Sequence, residues 1–305
     1  MGFFFIQMAD PQFGMYAALS GLDEVRLEAL RRAGMSVAST PKITGFAKET
    51  ELYESAIASA NRLKPEFVIT CGDMINDVND TTQLNELMRI TDDLDSDIPM
   101  HWVAGNHDLG NEVTSESLAR YRDRFGPDDY YFDHRGTRCV VLNSNISRDP
   151  SQVTHEWERQ REFAEDAMEE ARRQAADHIL VFMHHPLFLR RPDEGDSWVV
   201  VPQQRRRVLL EVFQRHRVSA VFAGHWHRNG YGRDGDLEMV TSGSVGYPLG
   251  EDPPGLRVVK VFERHLAHEY FALDAAPKSI RFDEDSVTVK SPKASTGDDV
   301  RCYQE

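Results

Sequence analysis

Phe67-Val68-Ile69-Thr70-Cys71-Gly72-Asp73-Met74-Ile75-Asn76 is the stretch on which the reading of this chain turns. Its first half is a short apolar run with β-branched residues, the signature of a strand. It stops at Gly-Asp, so a carboxylate stands immediately beyond the strand end. The same punctuation recurs along the chain. Residues 3–9 lead into Asp10-Pro11-Gln12, and residues 100–104 into Gly105-Asn106-His107-Asp108. Residues 179–183 lead into His184-His185-Pro186, and residues 220–223 into Gly224-His225-Trp226-His227. In open α/β sheets the loops beyond the carboxyl ends of strands converge on one crevice.

Helical periodicity fills the intervals. Residues 47–63 carry Leu52, Ala56 and Ala60 at four-residue spacing, and residues 82–94, 115–125, 154–176 and 203–216 also read as helices. Thr154 is the expected cap of the longest one. Residues 130–133 and 139–142 form an expected hairpin around His134-Arg135-Gly136-Thr137, and strands dominate from Tyr231 onward, at 237–241, 256–262 and 268–273. Strand–helix alternation implies parallel pairing, and the hairpins add antiparallel edges. The expected fold class is therefore α/β (α+β) with two mixed sheets packed together and helices outside. No linker-like segment splits residues 1–275, which read as one domain. Residues 14–46 form a long insert, a candidate lid with helical character at 24–33. Residues 276–305 read as a loosely attached polar tail with a candidate short strand at 286–289.

The 305 residues are 40% hydrophobic and 28% charged, enough for a full core and too apolar for a disordered chain. Thirty-five basic against 50 acidic side chains leave a net charge of −15, which repels nucleic acid and anionic membrane, so neither is an expected partner. Phe3-Phe4-Phe5-Ile6 is cut short by Gln7, far below the ~20 residues of a membrane span. No signal peptide is read. Cys71, Cys139 and Cys302 are widely spaced and odd in number, which points to a reducing, cytoplasmic setting.

The strand-end residues Asp10, Gln12, Asp73, Asn106, His184, His225 and His227 form a set of oxygen and imidazole donors. Such a set suits manganese, iron or zinc better than calcium. Only Asp10 and Asp73 bring formal charge, so two divalent cations would leave the site positive and attract phosphate.

At this point the chain resembles the calcineurin-like metallophosphoesterase family over about residues 1–275. Gly72-Asp73-Met74-Ile75-Asn76, Gly105-Asn106-His107-Asp108, His184 and Gly224-His225-Trp226-His227 stand in the family's order. Asp10-Pro11-Gln12-Phe13-Gly14 and His184-His185-Pro186-Leu187-Phe188 are similar to a subgroup classed with serine/threonine protein phosphatases. The resemblance implies a four-layer α/β/β/α sandwich and two divalent metal ions, manganese first, with iron, zinc or magnesium as alternatives. Asp10 and His227 would hold the first, Asp73 would bridge, and Asn106, His184 and His225 would hold the second. His107 would be the general acid, oriented by the Asn76 amide or else by Asp77 or Asp108. Hydroxide activated by the metals would attack in line without a phosphoenzyme. Gln12 stands where the family usually has His, an exchange that weakens the first site.

The implied substrate is a phosphorylated one, a phosphoprotein ahead of a small phosphoester, with no obligate partner. A cyclic-nucleotide phosphodiesterase using Phe13, Trp226 or Tyr247 as base-stacking walls is the enzyme alternative. A binding scaffold that has lost catalysis is the other. Arg190 and Arg191 are candidate phosphate clamps or a solvated turn, Tyr247 is a candidate substrate contact, and Asn143 and Ser144 are candidate lining of the crevice. His185 is read as support behind the ligands.

Overall fold

The computed structural model describes residues 2–282. In chain order the strands are β1 (Phe3–Met8), β2 (Val68–Cys71), β3 (Met100–Val103), β4 (Tyr130–His134), β5 (Thr137–Val141), β6 (His178–Phe182), β7 (Ala220–Ala223), β8 (Gly230–Asp234), β9 (Leu237–Thr241), β10 (Gly255–Val261) and β11 (Leu266–Ala272). The helices are α1 (Met15–Ala18), α2 (Glu24–Arg32), α3 (Ala47–Leu63), α4 (Thr81–Thr91), α5 (Ser115–Phe125), α6 (Ser144–Arg148), α7 (Thr154–Arg173) and α8 (Gln203–Arg215).

Two mixed sheets result, ordered β11-β10-β1-β2-β3 and β4-β5-β6-β7-β9-β8. β1, β2 and β3 run parallel, as do β5, β6, β7 and β9, and antiparallel strands close the edges. Period-two alternation explains the layering. Phe3 and Phe5 of β1 point between the sheets with Phe67, Phe182 and Phe222, while Phe4, Ile6 and Met8 point outward under α3 and its neighbours. On the second sheet Leu180 and Phe182 face inward, and Ile179 and Val181 face the layer that contains α7 and α8 residues such as Met168 and Phe213. Phe5 stacks on Phe67 with ring centroids 4.7 Å apart and meets Phe182 and Phe222 edge-on, which welds the inner layer. The expected four-layer α/β/β/α sandwich is the observed one.

Several local expectations are corrected. Thr154 does not cap α7; it is the first helical residue, and Val153 precedes it without a side-chain cap. The long insert holds two helices, and Asp23 caps α2 by accepting from the Arg26 amide at 2.9 Å. The short α6 had no apolar periodicity to announce it. The candidate strand at 286–289 and Cys302 lie outside the described residues.

Candidate metal centre

Five loops at the carboxyl ends of β1, β2, β3, β6 and β7 carry the predicted residues to one place. Main-chain bonds hold these loops together past the strand ends. The Asp10 amide donates to the Gly72 carbonyl (3.0 Å), the Gln12 amide to Asp73 (2.9 Å), and the Gly224 amide to His184 (3.0 Å). Gly72 has φ +86°, and a Cβ there would run into the His184 ring. A Cβ on Gly105 would strike Asp73 itself. Glycine at these two positions lets the backbone close around the donors. Asp10, Gln12, Asp73, His225 and His227 all have positive φ (51°, 39°, 52°, 66° and 53°), a conformation that disfavours side chains. Such strain concentrates where geometry is dictated by function.

The donor atoms converge. His184 Nε2 lies 3.1 Å from Asn106 Oδ1, 3.1 Å from His225 Nδ1 and 3.3 Å from Asp73 Oδ2. On the other side His227 Nε2 is 3.3 Å from Asp10 Oδ1, and Asp10, Asp73 and His227 offer ligand atoms within 4.8 Å of one another. Burial alone would raise the Asp73 carboxyl, but His184 and His107 hold it below the usual range. Burial would lower His184, but Asp73 and Asp10 lift it to about 9. Protons and cations therefore compete for the same lone pairs.

Backbone carbonyls decide which nitrogen faces the centre. The Nδ1–H of His184 donates to Cys71 O (2.8 Å) and that of His227 to Tyr247 O (2.5 Å). His225 donates the other way, from Nε2 to Trp198 O at 3.2 Å. Each ring thus turns a lone pair inward, the arrangement that prepares imidazole for a metal.

Gln12 is the test of whether the set suits a cation. Its Nε2 donates to Asn76 Oδ1 at 3.3 Å, and its Oε1 is buried with no hydrogen-bond partner among the described residues. An unpaired buried acceptor costs about 1–3 kcal/mol unless something satisfies it. Beside two carboxylates and three inward-facing imidazoles, a divalent cation or its water suits it, so the residues present fit a metal centre.

The geometry differs from expectation at the acid. His107 Nδ1 meets the main-chain carbonyl of Asn76 (2.8 Å), not the side-chain amide, which is engaged by Gln12. Asp108 makes no hydrogen bond to the His107 ring. Its oxygens accept the amides of Asp73, Met74 and Gly105, each at 2.9 Å, and burial together with the Asp73 charge raises it to about 7. It shapes the loop. Asp77 gives its side chain to the Asn79 amide.

A cleft of about 380 Å³ opens beside the donors, lined by Asn106, His185, His225, Asn145, Arg148 and Trp198 among others. Arg190, Arg191 and Tyr247 do not line it. Arg190 and Arg191 are exposed, and Arg191 pairs with Asp193 at 2.6 Å. Tyr247 is buried with Met15 and Leu249 and packs edge-on to Tyr16 at 4.7 Å. Phe13 is fully buried against Phe46 and Tyr53, and Trp226 packs against Leu189, Val199 and Val200. Arg148 and Trp198 escaped the sequence reading because neither sits at a strand end; the adjacent-charge pattern at Arg148-Asp149 carries no signal of its own.

A family model described as calcineurin-like phosphoesterase matches residues 44–229, a span that includes Asp73, Asn106, His107, His184, His225 and His227. The chain is 35% identical over 284 residues to the serine/threonine-protein phosphatase CPPED1 of Danio rerio, covering 89% of this chain and 85% of that one. It resembles the crystal structure of a dimetal phosphatase from Danio rerio with a TM-score of 0.60 at 17% identity, covering 88% of this chain and 99% of that one. It also resembles the purple acid phosphatase PPD1 of yellow lupin (Lupinus luteus), with a TM-score of 0.62 at 15% identity over 91% of this chain and 52% of that one. The last two likenesses concern the fold.

Proposed function

This chain belongs to the calcineurin-like phosphoesterase family and is a metal-dependent phosphoric ester hydrolase, and from that premise we propose that it cleaves phosphomonoesters, with phosphoserine and phosphothreonine in proteins as its substrates. The observation that carries the reading is the donor set closed around Asp73 with His107 anchored beside it. The substrate class is supported by the name of the relatives that match over most of the chain.

Asp10, Gln12, Asp73 and His227 would hold one divalent cation, and Asp73, Asn106, His184 and His225 a second. Bound there, the pair would supply positive charge for a phosphoryl group and make water acidic enough to be a nucleophile near neutral pH. Manganese, or magnesium, suits the amide oxygens of Gln12 and Asn106. The chain's own residues do the rest. The His107 main-chain amide donates to Asp73 Oδ1 at 2.9 Å, which fixes the loop relative to the carboxylate. With Nδ1–H given to the Asn76 carbonyl, Nε2 of His107 is the nitrogen left free, and it carries a transferable proton when the ring is the imidazolium. That nitrogen would protonate the departing oxygen as the ester bond breaks.

No described helix is long and apolar enough to cross a membrane. Cys71 and Cys139 are free and buried, which supports a reducing compartment such as the cytoplasm.

The test is hydrolysis of p-nitrophenyl phosphate against bis-p-nitrophenyl phosphate by metal-stripped protein, with manganese, magnesium, iron, zinc or nothing restored. Manganese-dependent monoester turnover followed by release of phosphate from phosphopeptides supports the reading. Preference for the diester moves the assignment to a phosphodiesterase, and no turnover with any metal moves it to a scaffold.

A further inference from the structure

Building on the phosphoesterase reading above, we propose that His185 is a neutral hydrogen-bond donor of the substrate cleft, with its Nε2–H directed at a phosphoryl oxygen rather than its lone pair at a metal. Proximity alone says otherwise. His184, His185 and His225 offer nitrogens within 4.8 Å of one another, and the rings of His185 and His225 are 4.2 Å apart. Three imidazoles so placed look like a ligand triad.

Ser144 overturns that reading. Its Oγ accepts the main-chain amides of His184 (3.2 Å) and His185 (2.8 Å). A hydroxyl oxygen has two lone pairs and one proton, so both lone pairs are spent. The same Oγ stands 3.0 Å from His185 Nδ1, and only its proton is left to make that bond. Nδ1 is therefore the acceptor and Nε2 carries the hydrogen. A protonated nitrogen is no ligand, and the other nitrogen is already engaged. The three inward-facing imidazoles reach the opposite state because carbonyls accept their outer N–H groups. A serine in place of a carbonyl reverses the tautomer.

Nε2 of His185 has no hydrogen-bond partner among the described residues, yet the ring lines the cleft beside Asn106, His225 and Arg148. What a cleft next to this donor set receives is a phosphoryl group, whose oxygens are acceptors. A neutral donor binds such an oxygen without placing another positive charge beside the metal ligands, where it would oppose the cations. Arg148, held through Nη1 to the Val200 carbonyl at 2.8 Å, lies on the same wall.

Three measurements test this. Nitrogen-15 spectra of histidine-labelled protein with magnesium or zinc report which His185 nitrogen is protonated, with no substrate present. Inorganic phosphate is then titrated as an inhibitor of His185→Leu and His185→Gln, and their bound metal is measured by elemental analysis. The expected result is a proton on Nε2 in the parent protein and both tautomers in Ser144→Ala. His185→Leu should raise the inhibition constant of phosphate about tenfold, with metal content unchanged. His185→Gln, which keeps a donor near Nε2, should recover most of that loss. A proton on Nδ1, loss of one metal equivalent from folded His185→Gln, or unaltered phosphate inhibition in both variants overturns the proposal. Absence of turnover by the parent protein would instead refute the phosphatase reading, and the nitrogen spectrum would still decide the tautomer.

Discussion

The carbonyl oxygen of Trp198 accepts the Nε2–H of His225 at 3.2 Å, while the indole of the same residue donates to the Ala33 carbonyl at 2.8 Å. One residue thus ties an inward-facing imidazole to the insert, at the end of α2. Arg228 reinforces the link through its bond to the Gly34 carbonyl at 2.6 Å, and Met35 and Val37 pack in the same apolar cluster as Trp198. The insert is thereby fastened to the residue that orients His225.

Trp198→Phe removes the indole donor while keeping an aromatic ring and the main-chain carbonyl. One lost hydrogen bond amounts to about 1 kcal/mol. The expected outcome is faster proteolysis and amide exchange within residues 20–43, with the global unfolding midpoint little changed. Equal protection in variant and parent would show that the insert is held by its other contacts alone.

His107 and Asn76 separate two models of the acid. His107→Ala should reduce kcat by about 10²–10⁴ for alkyl phosphates and much less for p-nitrophenyl phosphate, whose leaving group needs no proton. Because the contact from Asn76 is main-chain, Asn76→Ala should leave most of that activity in place. A loss in Asn76→Ala as deep as that in His107→Ala would mean that the side chain does the orienting.

Gln12→His offers an imidazole where a buried amide oxygen now lacks a partner. Imidazole binds late transition metals more strongly than an amide does. Slower loss of one metal equivalent during dialysis is the expected outcome, with the preference shifted from magnesium toward zinc or iron. Identical retention in both proteins would place Gln12 outside the ligand shell.

His101 and His268 should take stability from the fold in mild acid. Burial pushes His101 from 6.5 down to about 4, where its ring stacks on Phe132 with centroids 3.8 Å apart. Burial also lowers His268, against the opposing pull of Glu238, and its Nδ1 accepts from the buried Arg257 at 3.0 Å. As pH falls through 6.5, the unfolded chain takes up protons that these two rings refuse in the folded chain, so their contribution is lost between about 6.5 and 4. Asp108, raised to about 7, takes up its proton in the fold first and contributes the opposite sign. Across that interval the urea midpoint of His101→Gln should rise relative to that of the parent protein. A difference between variant and parent that does not change with pH contradicts the assignment.

Much of this was open to inspection in the chain itself. Short β-branched runs ending in Gly-Asp, Gly-Asn-His or Gly-His are strands that deliver polar side chains, because a strand's alternation leaves its apolar residues no other use than the two cores flanking it. Phe3 and Phe5 face one core and Phe4 and Ile6 the other, as alternation requires. The partner of His107 was not legible, since an amide three residues past Asp73 and the carbonyl of the same residue occupy one position in sequence. Nor were Arg148 and Trp198, which reach the cleft from loop and short-helix positions without periodicity.

The amino-acid order by itself determined the four layers and which side chains stand at the strand ends. Local hydrophobic period and chain punctuation suffice for both. The tertiary structure alone decided what each histidine does. Tautomer depends on the group facing the outer nitrogen, and those groups come from afar: His184 answers to the carbonyl of Cys71, 113 residues away, and His185 to the hydroxyl of Ser144, 41 residues away. Two adjacent histidines therefore face opposite tasks, one offering a lone pair and the other a proton, because packing put a carbonyl behind the first and a hydroxyl behind the second.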